Sequence, residues 1–198
     1  MSTETTNLNT DVEYPVHDLI QQRWSPRSFS DEAVDGELLR QLFEAARWSP
    51  SSYNEQPWRF IVATKEHPQK YQRMLDVLLP GNQRWAQEAP VLILTIVKIQ
   101  FSRNGSTNRA AKHDLGQAVA HLTFEATNHD LYLHQMAGID LDKARETFSI
   151  PEGYEPFTGI ALGYLGDADP PSSRKRKEID EFVFQGDWEN REPIGQDG

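Results

Sequence analysis

Residues 45–60 read Ala45-Ala46-Arg47-Trp48-Ser49-Pro50-Ser51-Ser52-Tyr53-Asn54-Glu55-Gln56-Pro57-Trp58-Arg59-Phe60. Three kinds of backbone are written into this stretch. Its start closes an amphipathic helix that Asp35 is placed to cap and in which Leu38, Leu39, Leu42, Phe43 and Ala46 recur at helical spacing. Ser49-Pro50 stops that helix, because the residue before a proline is driven out of the helical region. Trp58 to Ala63 then reads as a strand. The loop between them is dense in Ser, Asn and Gln, whose neutral donors and acceptors suit the edge of a heterocycle. Ordinary turn chemistry would use the same residues.

Outward from this block, helices dominate. Pro15 can take a first helical position, with Val16, Leu19 and Ile20 on a short apolar face that ends near Arg23. Tyr71, Met74, Leu75 and Leu78 mark a helix broken at Pro80-Gly81. Val91 to Lys98 is an apolar run of strand length, and Phe157 to Leu165 is a third strand. From about Asn108 to Gln135 a single long helical pattern is expected, with Leu115, Ala118, Val119, Leu122 and Ala126 on one stripe, and Gly138 ends that region. Asp140 is placed to cap a helix carrying Leu141, Ala144 and Phe148. Few strands joined by long helical crossovers make an α+β fold. The domain is expected over residues 13–190, between a disordered tail at 1–12 and a flexible one at 191–198. The segment after Pro171 is too poor in apolar residues to bury much alone and is expected to wrap onto a partner subunit.

The 198 residues fit one domain, and a hydrophobic share of 37% is low enough to suggest surface shared with a second copy. Lys and Arg number 20 against 30 Asp and Glu, a formal charge of −10. An acidic surface excludes nucleic acid and anionic membrane as partners, and a phosphate ligand would need a local basic cluster. The absence of cysteine excludes disulfides, thiolate metal sites and a Cys nucleophile. The polar first residues lack the pattern of a signal peptide, and no apolar run is long enough to span a bilayer, so a soluble cytoplasmic protein is expected. His129 and His134, or His113 and His121, do not have the spacing of a metal pair on one helical face, and no metal is expected. Glycine-rich dinucleotide fingerprints, P-loops and nucleophile elbows are also missing.

Two basic clusters interrupt the acidic chain. Arg23-Trp24-Ser25-Pro26-Arg27 sets two guanidiniums and a hydroxyl around a turn stiffened by Pro26. Such a group fits phosphate oxygens, but it would also suit a solvated helix end. Arg174-Lys175-Arg176-Lys177 is either a solvated charge run or the second half of one phosphate site.

Taken in order, these stretches resemble the FMN-dependent nitroreductase family. Arg23 to Phe29 is similar to its opening R-x-S-x-R-x-F motif, and Ala45 to Phe60 to its A-P-S-x-x-N-x-Q-P-W block. Asp114 and Gly116 match its central D-x-G. Ala161-Leu162-Gly163-Tyr164 resembles its late A-L-G-Y strand, which the basic segment follows. The resemblance spans about Pro15 to Trp188. It implies a small mixed sheet sandwiched by helices, in an intertwined homodimer with one FMN at each interface site. It implies that Arg23, Trp24, Ser25 and Arg27 surround the phosphate and ribityl chain, helped by Arg174 or, better matched, Arg176. Pro50, Ser51, Ser52 and Asn54, joined by Gln56, would line the flavin from the other subunit. Asn82 matches a position at the pyrimidine edge, and Met136-Ala137-Gly138 a segment whose backbone faces the flavin N5 and O4 region. Two departures stand out: Asn128 to Gln135 is bulkier and more polar than usual, and Trp85 occupies a position often held by Lys.

The activity so implied is reduction of nitroaromatics, quinones or related small electron-poor acceptors with NADH or NADPH, by ping-pong hydride transfer through the flavin and without a catalytic side chain. The resemblance also extends to dehalogenases and dehydrogenases, which often carry an added segment; Gln100 to Thr107 is short for one. A flavin-binding dimer with little turnover, its flavin covered by Tyr132 to Gln135, is the non-enzymatic alternative.

Overall fold

The computed structural model describes residues 12–191. The chain divides into a main unit, His17–Pro170, and a second unit made from the two chain ends, of which residues 12–16 and 171–191 are described. The expected tails at 1–12 and 191–198 lie outside the described residues except for Val12 and Arg191.

The main unit is built on a sheet of order β1-β2-β4-β3. The strands are β1 (Trp58–Thr64), β2 (Val91–Lys98), β3 (Leu131–Met136) and β4 (Tyr154–Tyr164). Every pairing among them is antiparallel. The mixed sheet that the resemblance implies is therefore not seen among the described residues. β2 and β3 do run the same way, but β4 inserts between them and turns one parallel contact into two antiparallel ones.

Helices cover both faces. In β2 the alternation of side chains sends Leu92, Leu94 and Ile96 to one core, and Val91, Ile93 and Val97 to another. The first core holds Tyr71, Met74 and Leu75 of α3 (Pro68–Asp76), Ala86 of α4 (Pro80–Ala86) and Ala144 of α6 (Leu141–Thr147). The second takes Leu42 and Ala46 of α2 (Gly36–Arg47) and Leu115, Ala118, Val119, Leu122 and Ala126 of α5 (Ala111–Asn128). Burial on both faces explains why β2 is an unbroken apolar run. No helix among the described residues is long and apolar enough to cross a membrane.

Asp35 and Asp140 cap their helices as expected. Asp35 accepts from the backbone N–H groups of Glu37 and Leu38, and Asp140 from that of Lys143. Three other expectations are corrected. The long helix over 108–135 is α5 followed by β3. Asn128-His129-Asp130 turns the chain, with Asp130 in the left-handed region at φ 56°, a conformation Asp tolerates. Beyond it, Leu131 and Leu133 alternate with Tyr132 and His134 at the period of a strand, and both leucines are buried. Pro80 begins α4 instead of only ending a helix, because a first helical position needs no N–H. The first helix, α1 (Asp18–Gln22), starts past Pro15, with the His17 ring accepting from Leu19 N at 3.1 Å.

In the second unit, Ile179–Glu181 forms a 3-10 turn with a reciprocal Glu178–Glu181 cap. The rings of Phe184 and Trp188 meet edge to face, 5.0 Å apart.

Candidate functional site

The Arg23–Arg27 turn follows α1 and is fastened to the sheet by the residues after it. Phe29 bridges Leu165, Ser30 N donates to Tyr164 O at 3.0 Å, and Gly166 N donates to Ser28 O at 3.2 Å. This lays the turn across the end of β4 and the start of β3. Within it Arg23 Nη1 donates to Ser25 Oγ at 3.2 Å. Pro26 is buried, whereas Ser25 and Arg27 are exposed.

Side chains from β3 and α4 support the turn from below. His134 Nδ1 lies 2.8 Å from the carbonyl oxygen of Pro26. A carbonyl can only accept, so Nδ1 carries a proton. Burial lowers the pKa of His134, and the nearby Arg27 charge acts in the same direction, so the ring is neutral at pH 7. The His134 ring packs on Trp85 at 4.4 Å between centroids, and Arg27 Cζ lies 5.9 Å from the Trp85 ring. Trp24 meets Tyr132 edge to face at 5.8 Å. The Trp85 indole thus lies near both the His134 ring and the Arg27 guanidinium.

Asn82 and Gly138 also come together. Asn82 Nδ2 donates to Gly138 O at 2.9 Å, and Leu79 N donates to the same oxygen at 3.0 Å. A Cβ at position 138 would stand 2.5 Å from Asn82 Nδ2, so a side chain there would displace the Asn82 amide from the Gly138 carbonyl.

The Pro50–Gln56 loop forms a second, separate group. It contains a 3-10 turn, Ser52–Asn54, and puts Tyr53, Asn54 and Gln56 in the left-handed region at φ 53°, 54° and 49°. For residues other than glycine this costs about 1–3 kcal/mol each and persists only where neighbours enforce it. The neighbours are identifiable. Asp114, 2% exposed in the first turn of α5, accepts from Ser52 N at 3.0 Å. Ser51 Oγ accepts from Gln56 N at 3.0 Å. Glu55 accepts from Ser102 N at 2.8 Å, Ser102 Oγ at 2.5 Å and Lys98 Nζ at 3.2 Å. The bonds from Ser102 hold the Glu55 carboxyl below the usual range against the opposing effect of burial.

One chain does not bring the two groups into one place. The loop leads into β1 and the Arg23–Arg27 turn lies on β3, and these strands are opposite edges of the sheet. Three strand spacings separate them, about 14 Å. They are also displaced along the strands: Trp58 is in register with Val97 and through it with Glu155, whereas β3 pairs with Gly159 to Tyr164. Arg174 and Arg176 belong to the second unit, where Arg176 Nη1 donates to Lys175 O at 2.9 Å. A hollow of about 300 Å³ between Arg59, Ile61, Ile96, Phe148 and Tyr154 contains none of the expected residues.

Residues 20–164, from α1 to the last residue of β4, match the model of the nitroreductase family. The chain belongs to that family. Over 122 residues it is 36% identical to an uncharacterised 15.4 kDa protein of Mycolicibacterium smegmatis, covering 57% of this chain and 81% of that one. A stretch of 51 residues is 43% identical to a nitrobenzene nitroreductase of Ectopseudomonas oleovorans, 26% of this chain and 22% of that enzyme. A crystal structure of an FMN-containing oxidoreductase superposes with a TM-score of 0.85 at 31% identity, covering 95% of this chain and 98% of the other. Both residue groups lie inside the nitroreductase match, whereas Arg174 and Arg176 lie beyond it.

Two residues of these groups, His134 and Asp114, are not legible as candidate site residues in the sequence. In the sequence His134 is one of a pair of histidines without metal-ligand spacing and part of a bulky segment, and its partner is a backbone carbonyl on a remote turn. Asp114 was visible as part of a motif, but nothing in the sequence gives its bond to Ser52.

Proposed function

We propose that the chain is an FMN-dependent NAD(P)H oxidoreductase acting as a homodimer on nitroaromatics, quinones or related electron-poor acceptors. The observation that carries this reading is the paired arrangement just described: a basic turn, Asn82 and Gly138 at one edge of the sheet, and a strained polar loop at the other. The chemistry of the donor set fits FMN. Two guanidiniums and the Ser25 hydroxyl suit a phosphate dianion that the overall charge of −10 would otherwise repel. Asn82 and the backbone of Met136, Ala137 and Gly138 suit the polar edge of a flavin ring. Because the two groups are on opposite edges, Pro50, Ser51, Ser52, Asn54 and Gln56 would serve the flavin held mainly by a second copy. Arg176, or Arg174, would complete the phosphate contacts.

When bound, FMN supplies two-electron transfer between donor and acceptor. The overall reaction of a nitro compound is R–NO2 + NAD(P)H + H⁺ → R–NO + NAD(P)⁺ + H2O. The chain's own residues bind and orient; no side chain in either group forms the nucleophile and base pair that acyl or phosphoryl transfer would need. The test is an absorbance spectrum of purified protein. A flavin spectrum that bleaches under anaerobic NADH or NADPH and returns with a nitroaromatic or quinone is expected. Absence of flavin, even after adding FMN, would sink the reading.

His134 gives a second test. His134→Phe keeps a ring on Trp85 but removes the donor to Pro26 O. FMN affinity is expected to fall about 3- to 10-fold, the net value of one buried neutral hydrogen bond. Riboflavin, which lacks the phosphate, should bind as before. Equal losses for both ligands would mean that the bond does not act through the phosphate turn.

A further inference from the structure

From Ala89 to His113 the chain has no Asp or Glu, yet it carries Lys98, Arg103, Arg109 and Lys112. In a chain with an excess of acidic residues this is a local inversion of charge. Lys98 pairs with Glu55 and Lys112 with Glu155. Arg103 and Arg109 pair with no carboxylate among the described residues.

Arg103 is not a loose surface cation. It sits in a tight reversal, where Phe101 N donates to Ser106 O and Gly105 N to Phe101 O, both at 2.8 Å, and Gln100 bridges Thr107. Its guanidinium carbon is 4.1 Å from the centre of the Tyr53 ring and 5.3 Å from that of Phe101. Tyr53 and Phe101 meet edge to face at 5.6 Å. Tyr53 is 73% exposed although its backbone is held in the left-handed region and its neighbours Ser52 and Glu55 are bonded to Asp114 and Ser102. Glu55, the acid in this loop that could have neutralised Arg103, is committed to Lys98 and Ser102. The result is a fixed, exposed aromatic ring under a guanidinium whose N–H edge is available to an anion.

We infer that Arg103 and Tyr53 form an acceptor subsite selective for planar aromatic carboxylates. The inference rests on the proposed flavin reading, because Tyr53 stands between Ser52 and Asn54 of the loop that would line the flavin. A guanidinium stacked on a ring keeps its planar fork of donors for a carboxylate, and the tyrosine offers a face to the substrate ring. The subsite belongs to the copy that contributes the loop.

The probes are 4-nitrobenzoate and its neutral amide, 4-nitrobenzamide, with benzoate as an unreactive ligand followed by its perturbation of the flavin spectrum. The unaltered dimer is expected to favour the acid over the amide in kcat/KM, and R103Q to lower that ratio about tenfold, the lower end for a charge-assisted hydrogen bond. R103Q should weaken benzoate binding by a similar factor, and R103K should restore part of it. An acid-to-amide ratio and a benzoate affinity that R103Q leaves unmoved would overturn the inference while FMN binding and reduction stand. So would an effect confined to NADPH against NADH, which would assign the guanidinium to the phosphate of the dinucleotide. Failure to take up FMN at all would overturn the functional reading and this one with it.

Discussion

Arg27→Ala is expected to weaken FMN binding roughly 10- to 150-fold, corresponding to the 1.5–3 kcal/mol of a hydrogen bond to a charged group. The expectation follows from position. Arg27 is exposed, its guanidinium lies 5.9 Å from the Trp85 ring, and the turn behind it is held by the His134 bond to Pro26 and by the Phe29 bridge to Leu165. The charge is therefore aimed, yet the fold does not depend on it, and a surface substitution of this kind changes stability by about 0.5 kcal/mol or less. Titration of flavin-free protein with FMN and with riboflavin separates the possibilities. A large loss for FMN and a small one for riboflavin supports the phosphate role. Unchanged FMN affinity would mean that the phosphate is held elsewhere, with the Arg174–Lys177 segment the next place to test.

Gly163→Ala is expected to lower stability by about 1–3 kcal/mol, the usual cost of overpacking a core, and Tm by several degrees. A Cβ at this position would lie 2.4 Å from Cδ and 2.8 Å from Cγ of Pro90, and 3.3 Å from Phe29 Cδ1. The proline ring cannot rotate away, and Phe29 is 5% exposed inside the first core. Phe29 also anchors the basic turn, so FMN affinity should fall with stability. Thermal unfolding of the variant decides the matter: an unchanged Tm would show that Pro90 yields without cost. This contact gives the glycine of the Ala161–Tyr164 motif a packing reason.

What the sequence made legible was local. The caps at Asp35 and Asp140, the stop at Ser49-Pro50 and the buried strand Val91–Lys98 each depend on a few neighbouring residues, and each is present. The helix expected to continue to Gln135 gives way to a strand because the period of the apolar residues changes from helical to alternating at Leu131. The order β1-β2-β4-β3 depends on where the last strand inserts, which no local pattern encodes. The site divides in the same way. The Arg23–Arg27 cluster and the polar loop could be found from composition and motif, but His134 and Asp114 act on backbone atoms 108 and 62 residues away in sequence, and only the folded chain shows that.

The strained loop has a consequence for binding strength. Tyr53, Asn54 and Gln56 adopt left-handed backbone in a loop tied within one chain by the bonds of Ser52 to Asp114, Gln56 to Ser51 and Ser102 to Glu55. A flexible loop would surrender about 1–2 kcal/mol of conformational entropy per residue on closing around a ligand. Here bonds within the chain already remove part of that freedom. A molecule arriving at the loop meets a surface set in advance, and more of its contact energy is retained as affinity.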